Sequence, residues 1–262
     1  GIMTPVLNYE TLGDRKNPAL VLAHPLGMNL HVWDHLVEHL KDSFHILRFD
    51  LPGHGKSKPV APEITALNET SIVDAVLNAC DSAGIQQFHF VGTSIGGMLG
   101  QQLIINHRDR LLSAVLTNTG LVIGTREGWL RRQADVISSG LSNMAPTLVS
   151  RWFSKVFTAT RPDQVVHWTE ELSKVDDHSY GLLSAWIGER NFIGELTPLH
   201  HPTILIAGSD DMATPPSLLA TLSLSLGNPP LLAMPDTGHV PSVEQPEQFT
   251  HHVKQFLATA CR

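Results

Sequence analysis

The sequence predicts an α/β fold, a mostly parallel sheet flanked by helices. Three observations carry this. Short apolar runs alternate with segments of helical spacing along the first 117 residues. The runs are apolar at nearly every position, as strands covered on both faces are. One run, Gln87 to Val91, passes through Gly92-Thr93-Ser94-Ile95-Gly96 straight into a second apolar segment of helical length. Helical crossovers between such strands force parallel pairing, so a doubly wound sheet is the natural architecture.

In order, Val6 to Leu12 alternates and reads as an opening strand. Ala19 to Ala23 is a buried strand, followed by the loop His24-Pro25-Leu26-Gly27-Met28 and a helix through Leu40. His45 to Phe49 is the next strand and runs into Asp50-Leu51-Pro52-Gly53-His54-Gly55, a loop defined by proline and glycine. Asp50 and His54 read as structural, Asp50 closing a turn over backbone N–H groups. Thr70 to Gly84 has helical spacing and stops at a glycine. Leu111 to Thr117 is a strand. The alternation then breaks. Residues 124–194 show helical periodicity alone and hold Trp129, Trp152, Trp168 and Trp186, four of the five tryptophans. This stretch reads as a helical cap inserted into a core made of residues 1–123 and 195–262. The sheet resumes at Thr203 to Ala207 and ends at Leu231 to Met234, and a helix from Pro246 to Leu257 closes the chain.

The 262 residues carry a net charge of −7, which argues against nucleic acid or an anionic membrane as a partner. No run is long and apolar enough for a bilayer span. Two distant cysteines imply no disulfide framework, and the opening residues lack the pattern of a secretory leader, so the cytoplasm is the expected compartment. The paired histidines His200-His201 and His251-His252 do not present two rings to one ion, and no metal-ligand spacing occurs, so neither metal nor cofactor is expected.

The chemistry centres on Gly-x-Ser-x-Gly between a strand and a helix. Ser94 sits where a strand turns into a helix, with glycines on both flanks where β-carbons would clash. A serine hydroxyl needs a base within hydrogen-bond reach, and the base needs a carboxylate to fix its tautomer. His239 follows the last strand, and Asp210-Asp211 follows the one before it. The chain order serine, acid, histidine places all three past strand carboxyl ends, on one edge of the sheet. The backbone N–H groups of Leu26 and Ile95 are the candidate oxyanion donors, since Pro25 has none. Trp33, Trp129, Trp152 and Trp186 are the aromatic residues expected at the substrate.

These residues resemble the α/β-hydrolase superfamily and, more narrowly, 3-oxoadipate enol-lactonases. The resemblance runs over nearly the whole chain through Leu26 to Asp34, Gly92 to Gln101, Leu116 to Thr119, Arg151-Trp152-Phe153 and Gly208 to Pro215. It implies an eight-stranded type of sheet with the cap after the sixth strand, and it selects Asp211 over Asp210 as the acid. It also implies a small ester or lactone substrate, cleaved through an acyl-enzyme. The enol-lactone carries a free carboxylate, for which Arg126, Arg131 and Arg190 are the candidate cations. Two departures weigh on the substrate: Ala23-His24-Pro25 in the first-strand loop, and bulky Trp186 at a normally small position. Competing readings are a broad carboxylesterase, a hydroxynitrile lyase or perhydrolase on the same triad, and a non-catalytic small-ligand receptor. Self-association into a homo-oligomer stays open.

Overall fold

A computed structural model describes residues 4–198 and 201–261 of the chain, so His200 lies outside the described residues. Among the described residues seven strands form one sheet: β1 (Tyr9–Leu12), β2 (Ala19–Ala23), β3 (His45–Phe49), β4 (Phe88–Thr93), β5 (Leu111–Thr117), β6 (Thr203–Gly208) and β7 (Leu231–Met234). Their order is β1-β3-β2-β4-β5-β6-β7, with β1 antiparallel to β3 and every other pairing parallel. Every residue of β2, β3, β4 and β6 is buried, the outcome expected of apolar strands covered on both faces.

Helices fill the crossovers. α1 (Asp34–Leu40), α2 (Ser71–Ser82) and α3 (Ile95–Asn106) follow β2, β3 and β4. Five helices then intervene between β5 and β6: α4 (Arg126–Ser139), α5 (Leu141–Ser150), α6 (Lys155–Thr160), α7 (Pro162–Ser173) and α8 (Asp177–Glu189). α9 (Pro216–Ser225), α10 (Pro241–Glu244) and α11 (Pro246–Ala260) complete the chain. Asp176 caps α8 by accepting from the Ser179 N–H, and its own N–H donates to the Gly53 carbonyl at 3.0 Å. The Ser179 hydroxyl in turn accepts from the Val60 N–H at 2.9 Å, so the insertion is anchored on the loop after β3.

Three expectations are corrected. The sheet has seven strands among the described residues, not eight, and the helical insertion follows the fifth, not the sixth. The first strand begins at Tyr9 rather than Val6. The ladder with β3 runs only from Tyr9 opposite Phe49 to Leu12 opposite Ile46, and Val6, 86% exposed, has left the sheet. α9 lies in a stretch to which the sequence reading assigns no element. Its signal is Pro216 at the first turn with Leu219 and Leu222 three apart, both buried.

Candidate active site

β4 ends at Thr93 and α3 begins at Ile95, so Ser94 alone makes the turn. Its backbone sits at φ 61° and ψ −115°, a strained region for a residue with a side chain. The sheet holds that strain in place: the Ser94 N–H donates to the Thr117 carbonyl at 2.9 Å, and the Thr119 hydroxyl donates to the Ser94 carbonyl at 2.9 Å. The flanking glycines are required by contact. A Cβ at Gly92 would run into the Gly96 carbonyl, and one at Gly96 into the Ala23 carbonyl. The first turn of α3 therefore packs against the end of β2, and the Ile95 N–H lies at the positive end of a helix beside Ser94.

Asp211, in the loop after β6, is buried, whereas Asp210 beside it is exposed. His239 Nδ1–H donates to both Asp211 oxygens, at 3.0 and 3.1 Å. The carboxylate also accepts the Ala213 and Thr214 N–H groups at 3.0 Å, the Thr214 hydroxyl at 2.7 Å and the Asn118 amide at 2.9 Å. Burial works against charge on both partners. Mutual attraction outweighs it, holding the His239 pKa above its usual value and the Asp211 pKa below the usual carboxylate range. With Nδ1 committed to Asp211, Nε2 is the nitrogen left to take a proton.

Ser94 and His239 line one cavity of about 250 Å³, with Leu26 on the β2 side and Thr214 beside the acid. The helical insertion supplies the opposite wall through Trp129, Arg132, Leu148, Arg151, Trp152, Tyr180 and Ile187. The Leu26 loop is braced by two buried histidines. Gly27 N–H donates to His54 Nε2 at 2.9 Å, and Leu51 N–H donates to His24 Nε2 at 2.9 Å. Each ring spends its Nδ1–H on a carbonyl, of Pro52 and Pro25 respectively, so both are neutral. Burial lowers both pKa values, that of His54 to about 3.

The expected substrate residues divide. Trp129 and Trp152 line the cavity, but Trp33 and Trp186 do not. Trp33 is fully buried against Phe249, with ring centroids 6.2 Å apart. Trp186 is buried at the seam between insertion and sheet, its Nε1–H donating to the Glu69 carbonyl at 3.0 Å. Arg190 stacks on that indole and approaches Glu69, and Arg126 pairs with Glu189 on the surface. Arg131 is exposed outside the cavity lining. The cavity's cations are Arg132 and Arg151, which sequence reasoning missed. Arg132 donates to the Tyr180 hydroxyl at 3.2 Å and lies 5.4 Å from the Trp129 ring centre. Among the described residues no carboxylate pairs with either arginine, and none lines the cavity. Helical phase is the signal that separates Arg132 from its neighbours: it is three residues on from Trp129, on the same face of α4.

Among the described residues no group of three or more histidine, cysteine or acidic side chains is placed to hold a metal, and no helix is long and apolar enough to cross a membrane.

Comparison with known proteins agrees with this architecture. The chain is 30% identical over 252 residues to 3-oxoadipate enol-lactonase 2 of Acinetobacter baylyi, covering 96% of this chain and 92% of that one. It is 26% identical to the pimeloyl-[acyl-carrier protein] methyl ester esterase of Aeromonas hydrophila, covering 92% of this chain and 96% of the relative. Among solved structures, the enol-lactonase from Burkholderia xenovorans LB400 superposes with a TM-score of 0.90 at 27% identity, over 96% of each chain. A family profile described as the alpha/beta hydrolase fold matches residues 18–246, and the chain belongs to that family.

Proposed function

We propose that this hydrolase cleaves a small carboxylic ester or lactone that carries a second, anionic group. The observation that carries the reading is the charge of the cavity: two arginines, Arg132 and Arg151, face Ser94 and His239 with no acid among the lining residues. A cavity whose cations have no acidic partner favours an anion, and a guanidinium matches a carboxylate in shape and hydrogen bonds. At about 250 Å³ the space lies below the ~300 Å³ at which drug-sized pockets begin, which favours a short substrate. Enol-lactonase relatives at 30% and 27% identity support the same class.

In this reading Ser94 Oγ attacks the carbonyl carbon while His239 Nε2 accepts its proton. The Leu26 and Ile95 N–H groups receive the charge that builds on the carbonyl oxygen, each worth on the order of 3–4 kcal/mol in such sites. The C–O bond to the leaving alcohol then breaks, and the imidazolium returns the proton to that oxygen. Water, deprotonated by His239, attacks the acyl-enzyme, and Ser94 leaves with the proton. In a lactone the leaving hydroxyl stays tethered to the acyl group, so water must outrun recyclisation.

The test compares 3-oxoadipate enol-lactone with short p-nitrophenyl esters, for wild type and Ser94→Ala. The expected result is a kcat/KM for the lactone higher by orders of magnitude, abolished in the variant. A preference for the neutral esters would support a second reading, a carboxylesterase. The apolar wall of Ile123, Leu148 and Ile187 and the methyl ester esterase relative favour that alternative.

A further inference from the structure

Of the buried acids, Glu244 and Asp50 stand outside the chemistry described so far, and Asp50 closes the turn after β3. Glu244, at the end of α10, is 8% exposed and pairs with no cation among the described residues. Its Oε1 accepts the Gly238 N–H at 2.9 Å and the Ser154 N–H at 2.8 Å, and its Oε2 accepts the Val240 N–H at 3.0 Å. The residue between, His239, donates its own N–H to the Trp152 carbonyl at 2.7 Å. The two backbones lie so close that a Cβ at Gly238 would sit 2.6 Å from the Trp152 carbonyl oxygen and 2.8 Å from the Ser154 nitrogen. The histidine loop is thereby joined to residues 152–154 of the insertion, and the Trp152 side chain lines the cavity.

We propose that Glu244 is a positioning residue that locks His239 to the Trp152–Ser154 segment, so that a substrate packed against Trp152 sets where the His239 imidazole stands. The inference rests on the reading of His239 as the base. A carboxylate suits the task because three N–H groups converge on it from two chain segments, and a neutral amide has one acceptor oxygen for them. Leaving any of the three N–H groups buried without a partner is costly, so the loop and the segment move together or not at all. Burial raises the Glu244 pKa against the three N–H groups that favour its charge, and where the carboxylate is ionised that charge has a second effect. Asp211 and Glu244 are the two carboxylates that raise the His239 pKa, while burial lowers it and Arg132 and Arg151 share the cavity.

The experiment compares wild type with Glu244→Gln, reading kcat and KM from pH 5 to 9 alongside the rate at which a fluorophosphonate labels Ser94. The variant is expected to lose about tenfold or more in kcat and in labelling rate, with KM changed less. Its acid limb of kcat/KM is expected to move to lower pH, because a charge favouring imidazolium is gone. Folding support alone would not move that limb. Wild-type kcat with an unmoved limb overturns the proposal. A second measurement needs no variant: amide hydrogen exchange of wild type at Ser154, Gly238, His239 and Val240. A single opening rate shared by all four is expected, and rates that differ more than tenfold overturn the lock. Wild type that cleaves no ester and does not label at Ser94 would sink the hydrolase reading instead, a result distinguishable from either of these.

Discussion

Asn118 donates its side-chain N–H to Asp211 Oδ2 at 2.9 Å and, from the same nitrogen, to the Gly238 carbonyl at 3.0 Å. One side chain at the end of β5 therefore fixes both the acid and the loop that carries His239. Its backbone lies in the left-handed region, φ 49°, which asparagine tolerates better than most residues. Asn118→Gly is compatible with that conformation and removes the side chain with its amide. A hydrogen bond to a charged group is worth about 1.5–3 kcal/mol, so kcat/KM is expected to fall between about tenfold and a hundredfold. Unchanged kcat/KM in a folded variant would show that Asp211 is held well enough by Thr214 and the loop N–H groups.

The His239–Asp211 pair fixes a pH dependence. On the proposed function His239 is the base, and its protonated form cannot take the serine proton; its pKa is raised, so the acid limb of kcat/KM is expected above pH 6.5. Asp211→Asn removes the main attraction. It is expected to shift the limb down and to lower kcat about a thousandfold or more, since the wrong tautomer is then favoured. The stability terms run in opposite directions. The raised His239 pKa contributes stability that is present below 6.5 and lost as pH rises through the folded value. The lowered Asp211 pKa contributes stability present above 3.8 and lost as pH falls. A kinetic profile whose acid limb lies below 6.5 would contradict the raised His239 pKa, and one with no acid limb at all would contradict the assignment of His239 as base.

On the proposed function, Arg132 and Arg151 in the cavity wall are expected to separate acidic from neutral substrates. Arg132→Met keeps an apolar stem beside Trp129 and removes the charge. For an anionic lactone kcat/KM is expected to fall about tenfold to a hundredfold, the size of one charge-assisted hydrogen bond. For p-nitrophenyl acetate it is expected to change less than threefold. Equal losses on both substrates would assign Arg132 to holding Tyr180 rather than to binding an anion.

Much of this was legible in the sequence because local rules and tertiary outcome coincide. Leu111 to Thr117 and Leu231 to Met234 are strands with the boundaries their apolar runs mark. Gly92 and Gly96 announce the turn at Ser94, since only a strand meeting a helix at one residue needs both. The misread residues lie where a one-dimensional pattern leaves facing undetermined. Trp186 and Arg190 read as pocket residues by type, yet they pack on one another at the seam, because α8 turns that face toward Glu69. Asn118 lies inside the Leu116 to Thr119 stretch and Glu244 outside every motif, and neither residue's partners can be read from its neighbours in the chain. Their roles come from segments far apart in the chain meeting, which spacing along the chain does not encode.

The histidines that brace the Leu26 loop give the last expectation. His54 is fully buried, accepts the Gly27 N–H on Nε2 and has a pKa pushed down to about 3 by burial and by neighbouring His24. In the unfolded chain the same ring takes a proton near pH 6.5. Below 6.5 the unfolded state thus binds a proton the native state refuses, and stability falls as pH drops toward 3. The slope is at most about 1.4 kcal/mol per pH unit for each such group, and His24, also lowered, adds in the same direction. His54→Asn removes this titration. At pH 7 the variant is expected to be less stable by about 1–3 kcal/mol, the cost of leaving the Gly27 N–H without its partner. Its stability should fall less steeply than wild type between pH 6 and 4. Urea unfolding at four pH values reads both quantities. Parallel wild-type and variant slopes would mean that His54 takes a proton in the native state near the usual value, and that its bond to Gly27 N–H is not the one described. Activity supplies a control. Gly27 adjoins Leu26, so loosening the brace should also lower kcat at pH 8, where neither histidine titrates.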